Sequence, residues 1–206
     1  MRGIRAAKEA PKKKRRYGRF WRQRRRGAIL LALLLLVLVA LPFVLKAPET
    51  VRRITHPLKY EETIRSAAQE NGVEPALVAA VILKESRFNP EVQSSQGAYG
   101  LMQIRPETAR FISERSGIWS DYRYSKANIR MGTWYLGYLQ YRYHEDERLV
   151  LAAYNSGEGQ VDAWHIDENF DIDRDIPFME TREYVENVLE ARDTYVELYG
   201  RDLDRR

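Results

Sequence analysis

The chain has 206 residues, no cysteine and a formal net charge of +5. The length accommodates one domain of ordinary size with additions, and the missing cysteine excludes a disulfide scaffold, a thiolate zinc site, a thiol nucleophile and a lipidated cysteine anchor. Charge is unevenly divided. Residues 1–26 carry thirteen Lys or Arg and one acid, Glu9, while the other 180 hold 21 basic and 28 acidic side chains, so the basic character belongs to a tail and does not mark a nucleic-acid binder.

Beyond the tail, residues 28–45 have no charged or hydrogen-bonding side chain. As a helix they would extend roughly 27 Å, about one bilayer hydrocarbon core. Leu, Ala and Val occupy every face, unlike an amphipathic core helix. The run exceeds the roughly 7–15 residues of a cleaved signal peptide's apolar region. Its best small-residue exit, Leu45-Lys46-Ala47, is followed by Pro48. Residues 27–45 are therefore expected to be a retained transmembrane signal-anchor. The basic tail, 1–26, stays cytoplasmic and attracts anionic headgroups at about 1 kcal/mol per residue. Everything after Lys46 is exported.

Residues 46–58 contain Pro48 and Pro57 without a clear period and read as a linker. At roughly 3.3–3.6 Å per residue it would reach at most about 45 Å. A domain over 59–200 follows. The spacing predicts a helix from Lys59 to Glu70 ended by Asn71-Gly72, and one from Pro75 to Phe88 ended by Asn89-Pro90. Residues 91–100 form a small polar loop that allows a hairpin over 91–104. Further helices run from Pro106 to Glu114, from a capping Ser125 to Tyr143, from Arg148 to Asn155, and from Thr181 to Tyr199. No strand pattern or repeat is evident, so the fold class is mainly α. Trp134, Tyr138 and Tyr141 recur at helical spacing and read as core, while Tyr99, Trp119 and Trp164 on loops are better placed to stack on a sugar. His56, His144 and His165 lack ligand spacing, so no metal and no cofactor are expected.

Val78, Val81, Ile82 and Phe88 share one helical face, and Glu85, four beyond Val81 and three beyond Ile82, falls on it. A carboxyl there is either paired with an arginine, or frayed into solvent, or desolvated enough to act as a general acid near neutral pH. The loop that follows, QSSQGAYGLMQ, supplies close backbone approach and amide donors, which suits a polar-substrate groove.

Glu85-Ser86-Arg87-Phe88-Asn89-Pro90, Ser94, Gly97-Ala98-Tyr99-Gly100-Leu101-Met102-Gln103-Ile104 and Pro106-x-Thr108-Ala109 resemble the catalytic core of the SLT-type lytic transglycosylases, bacterial enzymes that cleave the glycan strands of peptidoglycan. Asn128-Ile129, Gly132 and Tyr135-Leu136, then Ala152-Ala153-Tyr154-Asn155-Ser156-Gly157, then Tyr184 within Thr181-Arg182-Glu183-Tyr184-Val185, resemble later motifs in the right order. The resemblance covers about 60–199 and omits 1–58. It implies a lysozyme-like α+β fold, with Glu85 as catalytic acid/base. Ser94, Gly100, Leu101, Met102, Gln103, Tyr154, Asn155 and Tyr184 would line the substrate groove. Arg105 departs from the family, where an apolar residue is common. The basic tail's orientation places the domain outside the inner membrane, the resemblance implies peptidoglycan as partner, unidentified envelope machinery is expected as a further one, and the charge division argues against nucleic acid.

A glycosidase with two carboxyls would draw its second from Glu91, Glu107, Asp121, Glu158 or Asp162, none of which lies in these motifs. The expected reaction needs only Glu85 and closes a 1,6-anhydro ring on N-acetylmuramic acid. Two other readings compete. A goose-lysozyme-like muramidase would use water and a second carboxylate. A silent glycan-binding scaffold would have no use for the acid.

Overall fold

Pro75 and Pro106 each open a helix, where the missing N–H costs nothing and φ is already set. Gly72 and Gly117 each close one in the left-handed region. The computed structural model describes residues 49–164 and 170–203; the basic tail, the expected span over 27–45 and His165 lie outside the described residues. After a helical stretch over 49–55 come α1 (Glu61–Asn71), α2 (Pro75–Ser86), α3 (Pro106–Ser116), α4 (Ser125–Arg142), α5 (Glu147–Ser156), α6 (Glu158–Asp162), α7 (Ile172–Asp175) and α8 (Met179–Leu203). Among the described residues the fold is mainly helical, as expected, and none of these helices is long and apolar enough to cross a membrane.

Three boundaries differ from the sequence reading for local reasons. Helix α2 stops at Ser86, two residues early, because Arg87 and Phe88 both turn left-handed at φ 52° and 61°. Ser125 is already helical; Tyr124 stands at the cap position and its side chain makes no capping bond. Asp146 caps α5 instead, accepting from the amides of Arg148 (3.0 Å) and Leu149 (3.2 Å). The short helices α6 and α7 carry too few residues to show a period. The hairpin over 91–104 reduces to two isolated bridges, Gln93 with Tyr99 and Tyr99 with Ile104.

Helix α2 is the centre of the domain. It packs on α8 and α1, while α5 packs on α8 and α4. Ala76 through Ile82 are all buried, so these turns have no solvent face. The single apolar face inferred for Glu85 is therefore not what sets that residue apart. Leu77, Val78, Val81 and Ile82 each contribute up to about 1.5–3 kcal/mol by burial. Glu85 stands in the last turn, where the buried rod emerges into a cleft.

Residues 52–58, read above as linker, are bonded to α8. Arg52 makes two bonds to Glu197 (2.5 and 2.6 Å). Arg53 donates to the Leu198 carbonyl (3.0 Å) and lies over the Tyr199 ring. The hydroxyls of Tyr195 and Tyr199 donate to the carbonyls of Pro57 (2.8 Å) and His56 (2.9 Å). The His56 ring meets Tyr195 edge-on.

Candidate active site

The left-handed pair Arg87-Phe88 throws the chain sharply off the end of α2. Non-glycine residues in that region are strained, and burial of the Phe88 ring against Tyr195 offsets the cost. Ser86 is oriented toward the carbonyls of Ile82 (3.0 Å) and Leu101 (2.8 Å), tying the helix end to the following loop. Glu85 is thereby held between the loop, α5 and α8.

The loop over 92–104 has its own scaffold. Ser94 Oγ accepts from the amides of Gln96 (3.2 Å) and Ala98 (3.0 Å). Gln103, itself left-handed at φ 46°, donates Nε2 to the carbonyls of Val92 (2.9 Å) and Gly100 (2.8 Å). Asn128, fully buried on α4, accepts from the Met102 amide (2.7 Å) and donates to the carbonyls of Tyr99 (2.9 Å) and Tyr122 (2.7 Å). Gly100 has φ 84°, and a Cβ there would lie 2.6 Å from Asn128 Nδ2. Gly100→Ala should therefore cost more than about 1 kcal/mol, readable as a lowered midpoint in urea unfolding; a midpoint equal to the parent's would refute the close approach. Gly132 plays the same part from α4, where a Cβ would meet Met102 Sδ at 2.5 Å.

The result is a cleft of about 1060 Å³ between this loop, the start of α3, the α5–α6 junction and the start of α8. Glu85, Ser94, Gln103, Tyr154 and Asn155 line it. Gly100, Leu101 and Met102 do not: they are buried behind the loop and support it through backbone groups. The Met102 carbonyl accepts from Tyr154 (2.8 Å), so that hydroxyl braces the loop against α5. Tyr184 is buried on α8 and donates its hydroxyl to Glu85 Oε1 at 2.7 Å. Asn155 Oδ1 accepts from Thr181 (2.9 Å).

Glu85 is partly buried, and its partner is a tyrosine rather than an arginine. Its pKa is raised to about 7, chiefly by burial, against the lowering effects of the Tyr184 hydrogen bond and of Lys84. Its place in the last turn of α2, at the negative end of the helix dipole, acts in the same direction as burial. Among the described residues no hydrogen bond reaches Oε2, which leaves that oxygen free to carry and deliver a proton.

Residues 62–175 match the family model described as the Transglycosylase SLT domain. The chain belongs to this family. It is 37% identical to the "Soluble lytic murein transglycosylase" of Salmonella typhimurium over 150 residues, covering 68% of this chain and 23% of that protein. It is 32% identical to the "Membrane-bound lytic murein transglycosylase C" of Actinobacillus pleuropneumoniae over 169 residues, 68% of this chain and 46% of that one. Among solved structures, an inactive mutant of lytic transglycosylase Slt from Pseudomonas aeruginosa superposes with a TM-score of 0.68 at 32% identity, covering 72% of this chain and 25% of that one. The chain thus spans about a quarter to a half of the length of these relatives.

Within this SLT domain Phe111 and Phe178 also line the cleft and were not anticipated, because neither stands out in its own segment. Tyr135 and Thr181, from the later motifs, line it too, as do Arg105 and two of the candidate second carboxyls, Glu107 and Glu158. Arg105 pairs with Glu107 at 2.7 Å. Trp119 and Trp164 do not reach the cleft; the first is exposed and the second is buried on Phe170. Tyr99 serves its loop through its backbone. Trp134 and Tyr138 stack on each other as core, but Tyr141 is 85% exposed.

Proposed function

We propose that the protein is a membrane-anchored lytic transglycosylase that cleaves the bond between N-acetylmuramic acid and N-acetylglucosamine in peptidoglycan, with Glu85 as the single acid/base. The observation that carries this reading is Glu85 itself, with a pKa of about 7, braced by Tyr184 and open on Oε2 at the wall of a long cleft. The names of the relatives support the substrate class, and one of those reported above is called membrane-bound. The apolar run over 28–45 supports the anchor, with the N-terminus cytoplasmic and the domain on the far side of the inner membrane. Recruitment by envelope machinery remains an expectation carried by that location.

Protonated Glu85 donates to the glycosidic oxygen, and the bond from muramic C1 to that oxygen breaks. The leaving sugar takes the proton as its 4-hydroxyl. Glu85, now a carboxylate, removes the proton from the muramic C6 hydroxyl, and O6 closes on C1. The proton is returned, no water is consumed, and the product carries a 1,6-anhydro ring. The nucleophile belongs to the same sugar, so the closure gains the effective molarity of a positioned neighbour. Charge developing near C1 is positive and calls for lone pairs. The Tyr154 and Tyr184 hydroxyls donate to protein acceptors, as Gln103 does through Nε2, which leaves the two hydroxyl oxygens and Gln103 Oε1 as lone-pair groups rather than free donors.

Glu107, Glu158 and Glu180 also line the cleft, and the products of the reaction separate the one-carboxyl mechanism from the muramidase. Digestion of purified peptidoglycan with the full chain in detergent, followed by mass spectrometry, tests it. Anhydro products are expected; reducing-end products would mean hydrolysis, and no cleavage would favour the scaffold reading.

Activity should fall as pH rises through about 7, because the acid must be protonated. Tyr184→Phe removes a donor to the charged form, so this alkaline limb should move to higher pH. The rate should drop on the order of tenfold for a lost bond of about 1.5 kcal/mol. A pH–rate profile unchanged by this substitution would refute the role of Tyr184.

A further inference from the structure

One helix serves both the reacting acid and the start of the domain. Tyr184 on α8 holds Glu85, while Glu197, Leu198, Tyr195 and Tyr199 on the same helix hold residues 52–57. These residues, which precede position 62 where the SLT match begins, form a strap on α8. It combines a doubly bonded ion pair, a cation over an aromatic ring and three hydrogen bonds to backbone carbonyls. A loose linker would not engage in so many contacts.

We propose that the strap is a ruler, which shortens the tether and confines the cleft to glycan strands lying within about 40 Å of the bilayer. This rests on the membrane-anchored reading above. With 52–58 bound to α8, only residues 46–51 separate the apolar run from the folded domain. Fully extended they reach at most about 20 Å, and those from 49 onward are helical and reach less. From Glu197 back to Tyr184, α8 rises about 20 Å more. An unstrapped 46–58 would by itself allow about 45 Å before the domain began. The substrate is then the strand population next to the membrane, where polymer-forming reactions deliver new glycan, rather than the outer wall.

The absence of native cysteine makes the test direct. The full chain carrying Gln96→Cys, labelled on this exposed rim loop, is reconstituted in vesicles with acceptor dyes on the headgroups. Energy transfer reports the height of the cleft. A second protein carries Arg52→Gln, Arg53→Gln, Tyr195→Phe and Tyr199→Phe, which free the strap. A third carries a 20-residue Gly/Ser insertion after Pro48. Strong transfer in the parent, falling in the strap variant as the donor moves out by roughly 5–10 Å and further in the insertion variant, by roughly 15 Å, is the expected result. Transfer in the strap variant equal to that of the parent would overturn the proposal while leaving the anchor intact. Release of the parent from vesicles by alkaline carbonate would overturn the anchor reading and the ruler with it. Hydrogen exchange on the unaltered chain guards against a variant that fails to fold: amides over 52–58 protected like those of α8 support the strap, and free exchange there sinks it.

Discussion

Glu85→Gln should abolish glycan cleavage and, at the same time, make the protein more stable at alkaline pH. Removing a group that serves first as acid and then as base should lower the rate by at least about 10³-fold. The stability effect follows from linkage. The folded pKa of Glu85 is about 7 against an ordinary value of 4.5. Below pH 4.5 the group is protonated in both states and costs nothing. As pH rises above 4.5 the unfolded chain ionises while the native site resists, so stability is lost progressively until pH passes the folded value near 7. Glutamine cannot ionise, so the variant should be more stable by about 2–3 kcal/mol at pH 8 and no more stable below pH 4.5. That corresponds to a rise of roughly 5–10 °C in Tm for a domain of this size. Thermal unfolding of the two proteins across pH 4–8, alongside a digestion assay, measures both effects. Retained cleavage would remove Glu85 from the reaction. Parallel Tm curves would mean that its carboxyl is not desolvated.

Asn128→Ala should be the most damaging substitution away from the reacting carboxyl. One fully buried amide satisfies the Met102 amide and the carbonyls of Tyr99 and Tyr122. Its removal leaves the Met102 amide and the Tyr122 carbonyl without a partner, at about 1–3 kcal/mol each, while the Tyr99 carbonyl keeps its bond from the Ile104 amide, so a loss of about 2–6 kcal/mol is expected. Asn128→Asp should rescue little. It keeps the acceptor for Met102 but aims negative oxygen at two carbonyls. Cleavage should fall with stability, because these bonds fix the loop that walls the cleft. Urea unfolding gives the measurement, and a loss below about 1 kcal/mol in the alanine variant would show that water or a shifted loop replaces the amide.

Two tyrosines near Glu85 show how an element can be legible while its contacts are not. That Tyr154 and Tyr184 sit on helices follows from spacing alone. That one braces a loop carbonyl and the other the acid depends on contacts 52 and 99 residues apart in sequence. Gly100, Leu101 and Met102 share a motif with Gln103, yet only Gln103 faces the cleft, because the chain's turn at Gly100 buries its neighbours. A motif marks a segment; which of its side chains face outward is decided by the turn and by what packs behind it.

Helix starts and stops, the mainly helical class, the division of charge and the position of the acid were determined by the sequence itself, because prolines, glycines, apolar period and motif order act over a few residues. The all-round burial of α2, the bracing of Glu85 by Tyr184, the anchoring of the loop on Asn128 and the strap of 52–58 on α8 were decided only by the tertiary structure. Each depends on groups that the chain separates by tens of residues, and desolvation exists only once other segments have closed over the site.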